Sequence, residues 1–471
     1  MVDLDFYGTG KFTSDSFEGK EYQGNLYLNS DEGGIMLEFE ILHQGGPLSY
    51  LEIPLEIKYI TGELSNGFKM TLLNCTRQST ESKIGWGDTF TYLAEYMIEG
   101  LKIPNGNIDK FTEVYFDIPE SILWGNRSKY YIDDGFGLFD KEKERLKIYS
   151  NDELTIDYQV FGSMLPVHEI DLLNQEIILK QRPSIKILSN TPKSFSFFLS
   201  KFKHVRRFIE IGMNRPVIVT SITVITVDEV LKLNNFDLEF PQSFQVSSWN
   251  KKIDKSYPKF RDRSSYLFNL DDVLEKGNLN IYVENKNKLE PVLDLYLDFV
   301  YSKNMTVTQA FLNVTQALET YHSRFVCRGT LSEFKQRIEN IILKDVPEGN
   351  REYYRKILLA NSQRKITLQS RIADLLLADF AVHFYTGEIS YEDFPMRVVS
   401  TRNYYTHYDE RKRDQIIPDE DLQYYLSILK YILEYYMLKE LGFSDVEFRK
   451  QCISEKMRRI SIHFDVVRAS K

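Results

Sequence analysis

The segment from Ser400 to Asp409 contains the residues of this chain whose types and spacing are best suited to chemistry. It reads Ser-Thr-Arg-Asn-Tyr-Tyr-Thr-His-Tyr-Asp, so a polar residue, Asn403, follows Arg402, and His407 lies five positions after the arginine. Cleavage of RNA by its own 2′-hydroxyl needs a group that removes the hydroxyl proton and protonates the leaving 5′-oxygen, and histidine suits both steps. A guanidinium can hold the phosphate while charge develops on it, and an amide can orient a phosphate oxygen or the imidazole. Arg402, Asn403 and His407 are therefore candidate catalytic residues for this kind of chemistry.

The spacing alone has little discriminating power, because a second arginine and histidine, Arg458 and His463, occur at the same spacing in an arginine-rich tail. We interpret that second match as coincidence. The first match lies in a segment bounded by Pro395 and Pro418, between two amphipathic helical patterns. This context favours the first match as the functional one.

Aromatic and basic residues surround the motif and are candidate RNA contacts. Tyr404, Tyr405 and Tyr408 offer ring faces on which unpaired bases can stack. Arg411 and Arg413 are candidates for contacts with neighbouring phosphates. The alternative for the two arginines is a solvated helix face, since acidic residues are interleaved with them.

On a regular helix, residues five positions apart point about 140° away from each other. Arg402 and His407 therefore converge on one phosphate only if the helix has an irregular turn, or if two copies of the segment face each other across a dimer axis. The alternative without catalysis is that Arg402 pairs with a nearby acid such as Asp409, and that His407 is an exposed helix residue.

Length and composition predict an ordinary globular chain of two or three domains. The chain has 471 residues, with 42% hydrophobic and 27% charged residues and a net charge of −9. Residues 301–471 hold 26 basic and 23 acidic side chains, whereas residues 1–300 hold 33 and 45, so a polyanion is better tolerated by the second part. The longest apolar run, residues 216–227, is too short for a membrane-spanning helix.

Other signals are mainly exclusions. The N-terminus lacks the pattern of a signal peptide, and the three cysteines lie far apart, so a reducing, cytoplasmic location is expected. There is no phosphate-binding glycine loop and no Cys/His metal spacing, so we predict no cofactor, no metal site and no membrane partner.

The hydrophobic period changes along the chain and predicts an α+β protein with more than one domain. Residues 1–235 show short alternating segments separated by Gly, Pro and Asn/Asp clusters, which favours an antiparallel sandwich or barrel-like domain. A sensor or regulatory role is expected for this part only because an RNA-cleaving enzyme needs restraint in its own cell. Residues 236–300 read as a mixed connecting region. Residues 301–471 show four helical apolar faces and predict an α-helical bundle.

The helix pattern Gln309–His322, followed some 80 residues later by Arg402–His407, resembles the ApeA-like HEPN family of bacterial abortive-infection proteins. The resemblance implies a HEPN bundle that acts as a metal-independent endoribonuclease, halts host translation during phage infection, and leaves 2′,3′-cyclic phosphate and 5′-hydroxyl ends. Transfer RNA is the candidate substrate that it implies. It also implies a homodimer or larger even-numbered assembly through the HEPN domain, and an unidentified phage-derived trigger. Glu319 falls at the acidic position of the family's first helix, and the resemblance implies that it supports Arg402 or Asn403. The alternative is that Glu319 is an exposed helix glutamate.

Two other functions remain open at this point. The helical part can be a HEPN module that binds RNA or a partner without cleaving it. Alternatively, the function lies in the β-rich part as a ligand-binding sandwich, with the helices as a dimerisation domain.

Overall fold

The chain folds into a β-rich unit and a helical unit. The structure, a computed structural model, describes residues 5–28, 34–42, 53–83, 87–103, 110–132, 138–140, 145–164, 179–233, 238–248, 266–302, 304–326, 328–360, 367–376, 378, 381, 384, 389–408 and 410–443. One compact unit comprises residues 1–209 with 217–261, and the other comprises 210–216 with 262–471. Arg458 and His463 lie outside the described residues.

The described strands belong to the first unit. They are β1 Asp5–Thr13, β2 Glu21–Leu28, β3 Ile35–Leu42, β4 Glu56–Leu64, β5 Lys69–Lys83, β6 Gly87–Glu99, β7 Phe111–Asp117, β8 Tyr130–Ile132, β9 Leu138–Asp140, β10 Arg145–Ser150, β11 Leu154–Met164, β12 Leu179–Lys193, β13 Ser221–Leu233 and β14 Leu238–Ser248. Every pairing between them is antiparallel, in the order β10-β11-β12-β7-β13-β14-β6-β3-β2-β1-β4-β5, with β8 and β9 as a separate hairpin.

Strand β6 closes part of this sheet on itself. It pairs with β3 through Phe39↔Phe90, and also with β5 through Leu72↔Met97, so β1, β2, β3, β6, β5 and β4 form a closed barrel-like ring. The C-terminal end of β6 continues into the open part of the sheet through β14. Because β6 pairs with both β3 and β5, neither of these two strands has an unpaired backbone edge on the side that faces β6.

Aromatic side chains fill the ring. The ring of Phe39 stacks on those of Tyr22, Phe90 and Tyr92, at centroid distances of 5.4, 5.7 and 5.7 Å. Alternate residues of each strand point inward, so the period-2 pattern of the sequence supplies this core.

Helices α1 (Ser121–Gly125) and α2 (Phe195–Met213) accompany the strands. Phe202 of α2 stacks on Phe116 of β7 with ring centroids 3.8 Å apart, so α2 covers one face of the open sheet. The predicted antiparallel β-rich first part is confirmed.

The second unit is helical. Its helices are α3 Leu270–Lys276, α4 Asn278–Tyr301, α5 Val307–Tyr321, α6 Arg328–Asp345, α7 Arg351–Ala360, α8 Leu368–Leu375, α9 Phe394–His407 and α10 Leu422–Glu440. A π-helical turn, His322–Val326, follows α5 directly. The predicted helical bundle is confirmed, and no helix in the described part of the chain is long and apolar enough to cross a membrane.

The sequence predicts the end of helix α10 correctly and the end of helix α8 incorrectly. Gly442 lies just beyond α10 with φ 82°, and a Cβ there would come within 2.2 Å of the Ile281 side chain, so glycine is required. The pattern predicts that the apolar face of α8 continues through Leu376 to Phe380. Instead α8 ends at Leu375, and the backbone of Leu376 is extended (ψ 113°), while Phe380 lies outside the described residues.

Buried tyrosines make the helical unit sensitive to alkaline pH. The Tyr321 hydroxyl donates a hydrogen bond to Glu440 (2.8 Å), and the Tyr436 hydroxyl donates to the Leu375 carbonyl (3.1 Å). Burial raises the pKa of Tyr436 to about 12, and burial together with the Glu440 carboxylate raises the pKa of Tyr321. The neutral phenol is therefore favoured in the folded state.

We expect the contribution of these tyrosines to the free energy of unfolding to be constant below about pH 10, the ordinary pKa of tyrosine, and to fall as the pH rises through 12. The loss attributable to Tyr436 is about 2–3 kcal/mol over that interval. Denaturant unfolding at pH 8 to 12 measures it, and Tyr436→Phe should flatten the alkaline part of the profile. Tyrosinate absorbance that develops fully near pH 10, with unchanged stability, would contradict the assignment.

Candidate active site

Helix α9 carries the motif, and its buried face determines where the motif side chains point. Pro395 occupies the first turn, where a missing backbone N–H has no cost. Phe394, Val398 and Thr401 are buried at helical spacing. Each further residue is turned by about 100° around the helix axis. Arg402 therefore lies at the border of the buried face, and His407 lies on the side of α9 away from that face.

Thr401 attaches the middle of α9 to the chain that precedes α10. Its side chain is fully buried, its hydroxyl donates to the Arg397 carbonyl (2.7 Å), and it accepts a hydrogen bond from the Ile417 N–H (2.8 Å). This contact fixes the rotation of α9 one residue before Arg402.

We expect Thr401→Val to lower the free energy of unfolding by about 1–3 kcal/mol, because it leaves the buried Ile417 N–H without a partner. The matched control is Thr406→Val on the same helix, whose exposed hydroxyl donates only to the Arg402 carbonyl (2.7 Å). Denaturant unfolding compares the two variants. Equal losses would show that the Thr401 bond does not anchor α9.

Arg402 is held between an acid and an amide. Its Nη2 lies 4.0 Å from Oε2 of Glu319 on α5, and its Nη1 donates to Oδ1 of Asn403 (3.2 Å). The Arg402 and Glu319 side chains are each 38% exposed, so the guanidinium is restrained while still open to solvent. Asp409, the acid that the alternative interpretation pairs with Arg402, lies outside the described residues.

His407 is the last residue of α9, and its side chain is exposed. The next residue, Tyr408, adopts the left-handed conformation (φ 51°), and its N–H donates to the Tyr404 carbonyl, which ends the helix. Within the described residues, the His407 ring makes no hydrogen bond, so it remains available to a ligand.

The motif helix is regular from Arg402 through His407. The irregular turn considered from the sequence is absent from α9, and the two side chains therefore diverge by about 140° with an axial separation of about 7.5 Å. A single chain does not bring the two groups to one phosphate by local geometry.

The neighbouring tyrosines differ in accessibility. Tyr408 is 68% exposed, and its ring lies 5.9 Å from that of Tyr404. The Tyr405 hydroxyl donates to the exposed Asp419 carboxylate, and burial together with that carboxylate raises its pKa. Of the three rings, Tyr408 offers the most open stacking face.

The two arginines after the motif lie in a 3-10 turn, residues Glu410–Gln415, and both are exposed. Nη1 of Arg413 lies 3.5 Å from Glu410 Oε2, which fits the solvated face considered from the sequence as well as a phosphate contact.

Two contributors to the site are not evident from the sequence pattern. Nη1 of Arg371 on α8 lies 3.4 Å from the carbonyl oxygen of Glu319, and Asp419 holds Tyr405. No spacing rule connects Arg371 with Glu319, because the two residues meet only after α5 and α8 pack. Asp419 could have been noticed as an acid just after Pro418.

A metal site and a ligand cleft are the other kinds of site considered for the described residues. No group of three or more His, Cys, Asp or Glu side chains is arranged to hold a metal ion within the described ranges. The β-rich unit has a cleft of about 750 Å³ between α2 and strands β6, β13 and β14, with Tyr96, Phe202, Arg206, Ile222 and Val246 among its lining residues.

Comparison with known proteins gives two matches. Residues 8–282 match the family model described as ApeA N-terminal domain 1, and residues 312–447 match the model described as Apea-like HEPN. No curated protein and no solved structure matches the chain. The second match contains Glu319, Arg402, Asn403 and His407.

Proposed function

The chain belongs to the ApeA family, and from its HEPN domain we propose that it is an endoribonuclease of anti-phage defence that cleaves host RNA without a metal. HEPN domains are generally ribonucleases, and membership of this family supports a role in defence. The observation that carries the proposal is the pairing, on one helix, of an acid-supported guanidinium, Arg402, with an exposed histidine, His407.

The chemistry assigned to these residues is internal transesterification. His407 accepts the proton of the 2′-hydroxyl, whose oxygen attacks the adjacent phosphorus. The bond from phosphorus to the 5′-oxygen breaks, and that oxygen receives a proton from a protonated His407 ring. Arg402 binds the phosphate oxygens as negative charge develops on them, and Asn403 orients Arg402 or an oxygen. The products carry a 2′,3′-cyclic phosphate and a 5′-hydroxyl.

The divergence of Arg402 and His407 supports a site built from two chains. In a two-fold dimer, His407 of one chain can face Arg402 of the other, which brings both groups to one phosphate without bending α9. We therefore propose a homodimer, or a larger even-numbered assembly, that associates through the HEPN domain.

The substrate proposed is structured cellular RNA with unpaired loops, and transfer RNA is the leading candidate. The balance of 26 basic to 23 acidic residues after position 300 favours the helical part as the RNA-binding part. Tyr408 presents an open ring for a splayed base.

The β-rich unit is assigned the restraint of this activity and the response to a phage-derived trigger. An unrestrained ribonuclease would damage its own cell, and the 750 Å³ cleft is in the size range of ligand sites. The ligand-binding alternative for this unit then becomes a regulatory part of the same protein.

The experiment is a digest of total RNA by the purified protein in EDTA, with analysis of the new ends, beside a digest with His407→Ala. Discrete fragments that end in a cyclic phosphate, and that are absent with the variant, support the proposal. Loss of all cleavage in EDTA contradicts the metal-independent mechanism. Repetition with lysate from phage-infected cells tests the need for a trigger, and RNA binding without cleavage in that lysate indicates the non-catalytic HEPN module.

A further inference from the structure

The C-terminal end of α5 is attached to α8 at two points one helical turn apart. Arg371 of α8 contacts the backbone carbonyl of Glu319 through Nη1 (3.4 Å), and three residues later Asp374 contacts the His322 ring, with Nε2 2.8 Å from Oδ2. Residues three apart share a helix face, so both contacts lie along one seam between α5 and α8.

His322 connects the buried side of this seam to the protein surface. Its side chain is 1% exposed, whereas Asp374 is 55% exposed, so the ring reaches outward from the core to an acid at the surface. Its other ring nitrogen, Nδ1, is buried and makes no hydrogen bond to any residue that the structure describes. A buried polar group without partners is costly, so the single bond to Asp374 determines the orientation of the ring.

The same seam fixes the backbone of Glu319. The His322 N–H donates to the Glu319 carbonyl, the same oxygen that Arg371 contacts, and His322 begins the π-helical turn that ends α5. The peptide of Glu319 is therefore held by α8 from the side and by His322 from the C-terminal direction.

The Glu319 carboxylate needs this support to position Arg402. The two side chains are 4.0 Å apart and both are partly exposed, and such an exposed ion pair contributes little stability by itself. Holding two long side chains in one arrangement also has an entropic cost. A fixed backbone at Glu319 reduces the number of arrangements, so Arg402 is presented in one direction.

We infer that Asp374, His322 and Arg371 are positioning residues for the ribonuclease, and that they act through Glu319 on Arg402. The inference rests on the proposed function, because it assigns these residues to the presentation of the phosphate-binding guanidinium. None of them is assigned contact with the RNA. Displacing Arg402 by about 1 Å is enough to slow the reaction substantially.

The test is a double-mutant cycle between Asp374→Ala and Glu319→Gln, with total transfer RNA as the substrate. Asp374→Ala is expected to lower kcat about tenfold to a hundredfold with little change in KM, since it removes orientation rather than binding. In the Glu319→Gln background, the same substitution is expected to change kcat by less than about twofold, because the route through Glu319 is already broken. The matched control is Asp345→Ala, an exposed acid at the end of α6, for which we expect wild-type kinetics.

Conservative replacement gives a second readout. His322→Gln keeps an N–H donor near the position of Nε2 and is expected to retain most of the activity, whereas His322→Ala should behave like Asp374→Ala. If Asp374→Ala does not fold, Arg371→Ala replaces it in the cycle, because Arg371 is only partly buried.

Several outcomes overturn the inference. An unchanged kcat in Asp374→Ala contradicts it. If Asp374→Ala lowers kcat by the same factor with and without Glu319→Gln, Asp374 has a general structural role and the inference is also contradicted. The result for His407→Ala separates the two claims. If wild type cleaves and His407→Ala does not, a normal rate in Asp374→Ala contradicts the positioning role alone. Equal cleavage by wild type and His407→Ala, or none by either in infected lysate, contradicts the proposed function and this inference together.

Discussion

Replacement of His407 by alanine is expected to lower the rate of RNA cleavage by about 10²–10⁴-fold, the usual range for the loss of a general acid–base group. The imidazole is exposed at the end of α9, and its removal breaks no hydrogen bond among the described residues. The loss should therefore appear in kcat, with the affinity for RNA largely retained. Cleavage rates and a filter-binding isotherm on the same RNA measure the two quantities.

The matched control is Thr406→Ala, the exposed neighbour whose hydroxyl donates only to the carbonyl of Arg402. It is expected to cleave at close to the wild-type rate, and both variants should unfold at the same denaturant concentration as wild type. Cleavage by His407→Ala at the wild-type rate would show that the base lies elsewhere. Loss of RNA binding together with cleavage would instead assign His407 to recognition.

Much of the fold follows from local pattern, because periodicity is a property of neighbouring residues. Alternation in segments such as Ile35–Ile41 predicts strands, and the apolar spacing from Phe311 to Leu318 predicts α5. The structure confirms both, with β3 at Ile35–Leu42 and α5 at Val307–Tyr321. The start of α3 was missed, although Asn269 and Asp272 form a capping box there. Without that signal, residues 236–300 read only as a mixed connection.

Long-range closure is less accessible to the same reasoning. The pairing of β6 with both β3 and β5 depends on register across the whole ring, and no single segment encodes it. The same limit applies to the site. Arg402, Asn403 and His407 stand out as a motif, and resemblance points to Glu319. Arg371 and Asp374 are each 52 residues from their partners, Glu319 and His322, and these contacts become visible only when α8 packs on the end of α5.

Two inactive variants are expected to restore activity when they are combined in one dimer. Arg402→Ala and His407→Ala should each form an inactive homodimer. In a heterodimer whose sites each take Arg402 from one chain and His407 from the other, one site regains both groups and the second loses both. A heterodimer isolated by two affinity tags should therefore have about half of the wild-type activity.

The prediction follows from the geometry of α9 rather than from the motif itself. The helix is regular between the two residues and directs them about 140° apart, so in this conformation the backbone of one chain does not direct both side chains to one phosphate. The control heterodimer pairs His407→Ala with the double variant Arg402→Ala/His407→Ala; it contains no complete site in either arrangement and should be inactive. Activity in the mixed dimer but not in the control would place Arg402 and His407 of different chains in one site. An inactive mixed dimer, with its tags confirming that both chains are present, would mean that each site draws both residues from the same chain, and that α9 must bend when RNA binds.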